Sequence, residues 1–297
     1  MIVFIGGCNL DIIARSNHNF CMKDSNIGKI SYSHGGVMRN ICHNVSLMLP
    51  KQTAMLTAVG DDHFGKEIIS ELQDICDTTR VLQVENAATS VFNAILDDKN
   101  DMVCAVNDMQ VLQNVNANYL NKNQDLLKKC DTILIDTNLS RETIEYIFEN
   151  YASKKICCDA VSLAKVHRLD GFYDKLTIFK VNELELKGII GDYQNNEEML
   201  KKARSLNCKY LYITLGSKGA YLVTEKEHFY YSETFENIES TIGLGDAFIS
   251  GSIVCLEKNI TGLEALKFCT KVSYLTSKVL EANNLALSYE KVIEEMQ

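Results

Sequence analysis

Short apolar runs alternate with helical patterns along most of this chain, and that alternation constrains the fold more than any other feature of the sequence. The apolar runs predict strands at residues 2–5, 54–59, 132–136, 155–158, 176–181 and 210–215. The patterns between them predict helices at residues 37–49, 64–76, 117–128, 141–149 and 197–206. Strands separated by helices form βαβ units. The sequence therefore predicts an α/β fold with a mainly parallel sheet and helices on both of its faces.

Two stretches interrupt the alternation. Residues 10–34 show no helical pattern, and residues 86–108 predict a hairpin in which extended segments at 90–96 and 102–106 flank a polar turn at 97–101. Together the two stretches predict a small sheet that projects from the main domain as a lid. The alternative is that both are ordinary surface excursions. The last third of the chain is helical except at 220–223 and 228–232.

Composition limits the partners and the compartment that we expect. A net charge of -9 disfavours a general nucleic-acid or anionic-membrane surface. No apolar run reaches the roughly 18 residues that a membrane span needs. We therefore expect no nucleic-acid partner and no membrane association. The eleven cysteines lack zinc-site spacing, and their odd number, without a signal-peptide pattern, favours a reduced cytoplasmic protein.

A glycine-flanked aspartate opens a helical pattern near the C-terminus, in the sequence Gly243-Leu244-Gly245-Asp246. Glycines permit a close backbone approach, and the start of a helix offers unpaired N–H groups at the positive end of its dipole. An anion site with a carboxylate beside it suits phosphoryl transfer, in which a base accepts the proton of a hydroxyl. The alternative is a common glycine-rich helix start.

Two earlier clusters suit a polyhydroxyl ligand. Asn9 and Asp11 follow the first strand, where an amide and a carboxylate can bind sugar hydroxyls, although Asp11 alone fits a turn or cap equally well. Gly35 and Gly36 precede a helix whose first turn carries Asn40. A Gly-Gly pair lets a ligand press against the backbone, and the competing interpretation is a flexible helix start, which leaves Asn40 without a task.

Two later clusters suit a nucleotide. Asn182 and Glu185 follow a predicted strand, and their spacing fits either a helix capping box or the binding of phosphate and hydrated magnesium. Thr214, Gly216 and Gly219 fit either a hairpin turn or a nucleotide phosphate site. The sequence contains no Rossmann, Walker A or G-x-S-x-G motif, and its histidines lack metal-ligand spacing, so these classes are disfavoured.

Four of these clusters, in this order and spacing, resemble the ribokinase-like (PfkB-type) family of carbohydrate and nucleoside kinases. The resemblance rests on the Gly-Gly-x-x-x-Asn element at 35–40 and the Gly-x-Gly-Asp element at 243–246. It implies a three-layer α/β/α kinase domain over 1–297, with a mainly parallel central sheet and a discontinuous β lid at 10–34 and 86–108. Segments 24–30, 35–41, 105–109 and 136–138 look most like those of the pseudouridine kinases. That likeness implies ATP-dependent phosphorylation of the 5′-hydroxyl of pseudouridine.

The resemblance also implies roles for individual residues. Asp246 is expected to be the general base, and the backbone N–H groups of Gly243, Leu244 and Gly245 are expected to form the anion hole. The residues that the resemblance assigns to the substrate are Asn9, Asp11, Gly35, Gly36, Asn40 and Asn107. Those that it assigns to ATP are Asn182, Thr214, Gly216 and Gly219. Glu185 is expected to reach magnesium through water.

The chain also departs from the family pattern. Leu244 replaces the usual alanine of the Gly-x-Gly-Asp element, and Val181 replaces the proline that often precedes the asparagine of the Asn-x-x-Glu motif. Ser240 stands where many relatives carry an aspartate that helps to bind a monovalent cation, so dependence on K⁺ stays open. The rivals are a kinase of ribose, adenosine or inosine, a catalytically silent nucleoside-binding protein, and a dinucleotide-binding oxidoreductase. The exposed edges of the projecting sheet make a homodimer through the lid a further expectation.

Overall fold

A computed structural model describes residues 1–99 and 101–297, so that Asn100, in the predicted polar turn, lies outside the described residues. The strands are β1 (Ile2–Ile5), β2 (Asn9–Ser16), β3 (Gly28–Gly35), β4 (Thr53–Leu56), β5 (Ala58–Gly60), β6 (Leu82–Val84), β7 (Val91–Leu96), β8 (Met102–Asp108), β9 (Thr132–Asp136), β10 (Lys155–Asp159), β11 (Ile178–Asn182), β12 (Tyr210–Thr214), β13 (Ala220–Val223) and β14 (His228–Tyr231). The helices are α1 (Val37–Met48), α2 (His63–Gln73), α3 (Ala117–Lys122), α4 (Gln124–Lys129), α5 (Arg141–Asn150), α6 (Leu163–Val166), α7 (Glu183–Ile190), α8 (Asn196–Arg204), α9 (Leu244–Lys258), α10 (Gly262–Thr276) and α11 (Tyr289–Glu295). None of these helices is long and apolar enough to cross a membrane.

Eight strands form the main sheet in the order β14-β13-β12-β11-β10-β9-β1-β4. All neighbours from β12 to β4 are parallel, and β13 and β14 add an antiparallel edge. Each face of the sheet is covered by its own apolar core, one with α3–α5, α7 and α8 and the other with α1, α9, α10 and α11. The predicted three-layer α/β/α fold with a mainly parallel sheet is confirmed.

Two predicted elements are interrupted by local hydrogen bonds. The predicted strand at 54–59 is two strands, because β4 ends at Leu56 and β5 pairs with β6 rather than with the main sheet. Thr57, at the break, donates through Oγ1 to the carbonyl of Gly6 at 2.6 Å. The predicted helix at 117–128 is two short helices that meet at Asn123. The Asn123 amide donates to the carbonyl of Tyr119 at 2.9 Å, and such side-chain bonds compete with the helical ladder.

A separate four-stranded sheet has the order β3-β2-β7-β8. The stretch without helical pattern supplies β2 and β3, and β7 and β8 form an antiparallel hairpin. Register places Asp11 opposite Phe92 and Phe92 opposite Asn107, so that these three residues share one face. Tyr32 and Val106 lie on the opposite face. That this small sheet acts as a lid of a single domain stays a prediction.

The parallel strands bring their carboxyl ends to one edge of the main sheet. Gly6 follows β1, and Asp136, Asp159, Asn182 and Thr214 are the last residues of β9 to β12. In open α/β sheets the ligand lies outside this edge, so it is the place where the candidate residues have to meet.

Candidate active site

The N-terminus of α9 presents a backbone anion site. Gly243 precedes the helix with φ 74°, a left-handed conformation that glycine adopts without strain. It also packs closely, because a Cβ atom there would lie 2.4 Å from the carbonyl oxygen of Ala282. Within the described residues, the N–H groups of Gly243, Leu244 and Gly245 donate to no other protein group. They are therefore available to an anion, and the first turn of a 15-residue helix favours one electrostatically.

Asp246 lies in this first turn with a partly exposed side chain. Its Oδ2 accepts a hydrogen bond from Nδ2 of Asn40 at 2.9 Å. Burial raises the pKa of Asp246 to about 7, helped by the nearby charge of Asp159 and opposed by the Asn40 hydrogen bond and by Lys180. A carboxylate with this pKa is suited to proton transfer near neutral pH.

Asn40 is held by groups that are distant in sequence. Arg39 donates through Nη1 to Oδ1 of Asn40 at 3.2 Å, and Asn283 donates through Nδ2 to the Asn40 carbonyl at 3.0 Å. Arg39 also donates to Oδ1 of Asn283 at 2.5 Å and pairs with Glu71 of α2 at 2.7 Å. The first turn of α1 is thereby tied to the C-terminal segment and to α2, which fixes the amide that faces Asp246.

Three buried charged residues stand side by side behind the anion site. Asp136, Asp159 and Lys180 are register partners on β9, β10 and β11. Lys180 Nζ lies 3.1 Å from Oδ2 of Asp159, and an ideal Cβ on Gly245 would lie 3.1 Å from the same Nζ. Burial alone lowers the pKa of Lys180, but Asp159, Glu185 and Asp246 outweigh it and raise the pKa. A buried ammonium thus lies beneath the anion site.

Sequence reasoning did not assign a role to these three residues. The sequence signal is a charged side chain at or near the end of a largely apolar strand, repeated in three strands that are neighbours in the sheet. Asp136 and Asp159 are the last residues of β9 and β10, and Lys180 stands two residues before the end of β11. Burial raises the pKa of Asp136, whose two oxygens accept hydrogen bonds from the backbone N–H groups of Gly7 at 3.0 Å and Asn138 at 2.8 Å. Asp136 therefore fixes the loop that follows β1.

The candidate sugar-binding residues come together through the pairing of β2 with β3. Asn9 donates through Nδ2 to Oδ1 of Asp11 at 2.5 Å, and Asn9 is the register partner of Gly35. A Cβ on Gly35 would lie 2.0 Å from Oδ2 of Asp11, so only glycine leaves that carboxylate its place. Gly36 has φ 99° and caps α1, which places Asn40 one turn further on. Burial raises the pKa of Asp11, against the effects of Asn9 and Arg39.

The candidate nucleotide-binding residues lie on the same edge. Asn182 and Thr214 are register partners at the ends of β11 and β12. The capping box is present, with the Glu185 N–H donating to Oδ1 of Asn182 at 2.9 Å and the Asn182 N–H donating to Oε2 of Glu185 at 2.7 Å. In the described residues, Glu185 Oε1 and Asn182 Nδ2 make no further hydrogen bond. Capping and ligand binding are therefore compatible at this position.

The glycines after β12 serve the turn into β13. Gly216 has φ 60° and Gly219 has φ 93°, and a Cβ on Gly219 would lie 2.3 Å from the carbonyl oxygen of Tyr231. The hairpin interpretation therefore accounts for Gly219. Glu185 is buried, and burial raises its pKa while Lys180 lowers it. In the described residues its Oε1 makes no hydrogen bond, so a carboxylate oxygen is left free at this edge of the sheet. Across the described residues, no set of three or more His, Cys, Asp or Glu forms a direct metal site.

Asn107 and Ser240 make no hydrogen bond to Asp246 in the described part of the chain. Asn107 is exposed on β8 and lines a cavity of about 770 Å³ beside the small sheet, without a hydrogen bond to the other candidate residues in the described chain. Ser240 accepts a hydrogen bond from the N–H of Ile242 at 3.1 Å. Leu244 finds room as a partly exposed side chain, and its carbonyl accepts from Ser273 at 3.0 Å.

Comparison with known proteins places this geometry in a family context. The profile described as pfkB family carbohydrate kinase matches residues 1–287. The chain is 28% identical over 298 residues to pseudouridine kinase of Escherichia coli, covering 98% of this chain and 95% of that protein. Ribokinase of Thermotoga maritima superimposes with a TM-score of 0.84 at 19% identity, over 100% of this chain and 98% of the other. Ribokinase of Arabidopsis thaliana complexed with ribose and ATP gives 0.81 at 17%, with the same coverage. These two structures share the ribokinase-like fold.

The raised pKa of Asp246 predicts a pH-dependent cost in stability. An ordinary aspartate has a pKa of 3.8, and the folded protein raises it to about 7. Between these values the folded protein keeps a proton that the unfolded chain has lost, so this stabilisation is complete below about pH 4 and is lost as the pH rises through 7. Asp246→Asn removes the ionisable group. The variant should therefore gain urea stability relative to the wild type at pH 8, and less so at pH 5.5.

The control is Asp174→Asn, at an exposed position, which should give the same small difference at both pH values. A stability difference for Asp246→Asn that does not change between pH 5.5 and pH 8 contradicts the raised pKa.

Proposed function

This chain belongs to the pfkB family of carbohydrate kinases, and from that membership we propose that it uses ATP to phosphorylate the 5′-hydroxyl of pseudouridine. As a kinase of this family it transfers a phosphoryl group to a hydroxyl of a sugar or nucleoside. The observation that carries the chemistry is Asp246, held by Asn40 at the start of α9 with a pKa near 7. The observation that favours pseudouridine is the likeness to the Escherichia coli enzyme over 98% of the chain.

Asp246 is the proposed general base. Its carboxylate accepts the proton of the 5′-hydroxyl as the oxygen forms a bond to the γ-phosphorus and the bond from that phosphorus to ADP breaks. Negative charge on the transferring group is stabilised by the N–H groups of Gly243, Leu244 and Gly245. Lys180 supports this stabilisation from beneath, because its buried ammonium lies against Gly245.

The sugar is bound by the cluster at the base of the small sheet. Asn9 and Asp11 offer an amide and a carboxylate in fixed relation, and Asn40 joins them to the base. Gly35 and Gly36 leave room for a ribose to approach the backbone. The side-chain oxygens and amide hydrogens of Asn9, Asp11 and Asn40 match vicinal hydroxyl groups, which both donate and accept.

ATP lies along the ends of β11 and β12 in this proposal. Asn182, Thr214, Gly216 and Gly219 border its phosphates and nucleoside, and Glu185 holds the water shell of Mg²⁺ through its free Oε1. The fit rests on that unused oxygen in a buried carboxylate beside Lys180. Mg²⁺ neutralises charge on the phosphates when bound. The rest of the chemistry is positioning by the residues named above.

Residues 10–34 and 86–108 act as the lid in this proposal, within a single kinase domain over 1–297, and we place the enzyme in the cytoplasm. The small sheet carries Asp11 and Asn107 on one face, so its movement toward the main sheet delivers both to the substrate. Closure excludes water, which protects the transferring phosphoryl group from hydrolysis.

The general-base assignment predicts a large loss of turnover in Asp246→Asn. Asparagine keeps the shape and accepts no proton, so kcat should fall by about 10²- to 10⁴-fold, the usual contribution of a general base. ADP release coupled to a dehydrogenase assay measures it, and Asp174→Asn is the control with unchanged turnover. Turnover of Asp246→Asn within a few-fold of the wild type would show that another group takes the proton.

The substrate assignment predicts the highest kcat/KM for pseudouridine in a panel that also contains uridine, adenosine, inosine and ribose. ADP release should be measured with and without potassium, since Ser240 leaves that dependence open. Faster turnover of another acceptor contradicts the pseudouridine assignment and retains the kinase. Binding of pseudouridine without ADP release in any condition identifies a silent binding protein instead.

The outer face of the small sheet predicts a homodimer through the lid. Ile30, Tyr32 and Val106 are 75%, 66% and 71% exposed, a hydrophobic surface that a second copy can cover. Sedimentation should show a dimer for the wild type and a monomer for Tyr32→Lys, with Leu263→Lys on α10 as the control. A monomeric wild type at micromolar concentration contradicts the dimer.

A further inference from the structure

The cavity that Asn107 lines adjoins the proposed sugar site. The cavity of about 770 Å³ lies between the end of β8 and the loops after β9 and β10, and its lining includes Asn107, Met109, Asn138 and Lys165. Neither Asp246 nor the three N–H groups of the anion site line it. Its volume is in the range of pockets that enclose a small organic ligand. The phosphoryl-transfer chemistry described above makes no use of it.

The cavity meets the sugar site at Gly7. An ideal Cβ on Gly7 would lie 2.7 Å from Cε of Met109 and 3.2 Å from Nδ2 of Asn138, so both side chains pack directly on this backbone. Gly7 precedes Asn9, and its carbonyl accepts from the N–H of Arg39 at 3.3 Å. Asn107 shares one face of the small sheet with Asp11. A group attached to a bound ribose therefore enters this cavity.

Two linked polar side chains of the cavity, Asn138 and Lys165, offer hydrogen-bond donors, and the carboxylates of Asp108 and Glu142 also belong to its lining. Lys165 donates through Nζ to Oδ1 of Asn138 at 2.6 Å, which fixes the amide and occupies its oxygen. The two remaining hydrogens of the Lys165 ammonium make no other hydrogen bond in the described residues. The Asn138 amide also interacts with the Asp136 carboxylate, whose pKa it lowers against the effect of burial, and this leaves one of its two Nδ2 hydrogens for a ligand. Lys165 is half-buried, and burial lowers its pKa while Asp136 raises it.

The neighbouring arginine has a different task. Arg168 donates through Nη1 to the carbonyls of Thr137, Asn138 and Leu139 at 2.9, 3.0 and 3.0 Å. Through Nη1 it therefore holds the loop that carries Asn138. The loop, the amide and the ammonium form a preorganised pair of donors, with Asn138 fixed from both its backbone and its side chain.

Two adjacent donors recognise carbonyl oxygens. A uracil-type base presents two ring carbonyls, whereas an amino group in either place would bring a donor against the ammonium or the Asn138 amide. A site built around a specific hydrogen bond rejects the analogue that cannot make it, because its buried polar group is left unpaired. The donor arrangement consequently favours a dioxopyrimidine over a base that carries an amino group.

Resting on the proposed function, we propose that Lys165 and Asn138 form the base-recognition site of this kinase and select a dioxopyrimidine through its carbonyl oxygens. Lys165 is then a specificity-determining residue: it contacts the base and takes no part in phosphoryl transfer. This role assigns a ligand to a linked pair of side chains in the cavity that are fixed in place and retain donor hydrogens.

The test compares Lys165→Met with Lys165→Arg and with the exposed control Lys129→Met. The acceptors are pseudouridine, pseudocytidine and pseudoisocytidine, of which the last two each replace one carbonyl by an amino group. Lys165→Met should raise KM for pseudouridine by about tenfold or more, as expected for loss of a hydrogen bond to a charged group, with little change in kcat. It should also reduce the preference of the wild type for pseudouridine over at least one analogue. Lys165→Arg should retain much of that preference, and Lys129→Met should match the wild type.

Failure of this inference differs from failure of the proposed function. A wild-type enzyme that does not phosphorylate pseudouridine overturns both. A wild type that phosphorylates it, with Lys165→Met showing unchanged KM or a loss confined to kcat, overturns the base site alone. Equal wild-type kcat/KM for pseudouridine and both amino analogues also overturns the base site alone. Urea midpoints of the variants establish that they are folded, and if Lys165→Met does not fold, the analogue preference of the wild type and of Lys165→Arg decides.

Discussion

The ion pair between Lys180 and Asp159 is the interaction on which the arrangement of the site depends. It lies at the carboxyl edge of the sheet with both side chains almost fully buried, at 8% and 2% exposure. Removing one partner leaves an uncompensated buried charge, which is far more costly than the pair is stabilising. One ammonium there faces Asp159, Glu185 and Asp246, with Asp136 one strand further. Burial raises the pKa values of Asp246, Asp136 and Glu185, and the charge of Asp159 raises all three further.

Most of the main sheet was predictable because its strands are buried on both faces and therefore read as unbroken apolar runs. β1, β9 and β13 have the predicted bounds, and the edges of the others differ by a few residues. The interruptions at Thr57 and Asn123 were not predictable, since each depends on a specific side-chain hydrogen bond to the backbone. Apolar periodicity reports which side of an element is buried and carries no information about such bonds.

The candidate site, like the fold, was predictable only in part. Gly35 and Gly243 stand out in sequence as parts of glycine pairs. The structure shows why no side chain fits there, because a Cβ on Gly35 would overlap the Asp11 carboxylate and one on Gly243 would overlap the carbonyl oxygen of Ala282. The hydrogen bond of Asn40 to Asp246 joins residues 206 positions apart. The family resemblance assigned one residue to the substrate and the other to the base, and it did not predict this bond. Lys180 has no motif of its own. Its role emerges from sheet order and register, which place it beside Asp159, and these are properties of the folded chain.

The hydrogen bonds of Asn283 make the candidate site depend on the C-terminal part of the chain. Asn283 bonds the backbone of Asn40 and the side chain of Asn44, and the neighbouring Ala282 carbonyl abuts Gly243. The strands of the main sheet all end at or before Tyr231, whereas the Asn283 segment and the helices α9 and α10, which cover one face of that sheet, follow it. The C-terminal part of the chain therefore closes one apolar core and fixes the amide that faces Asp246, so that a chain ending before α9 would contain every strand of the main sheet and neither of these features.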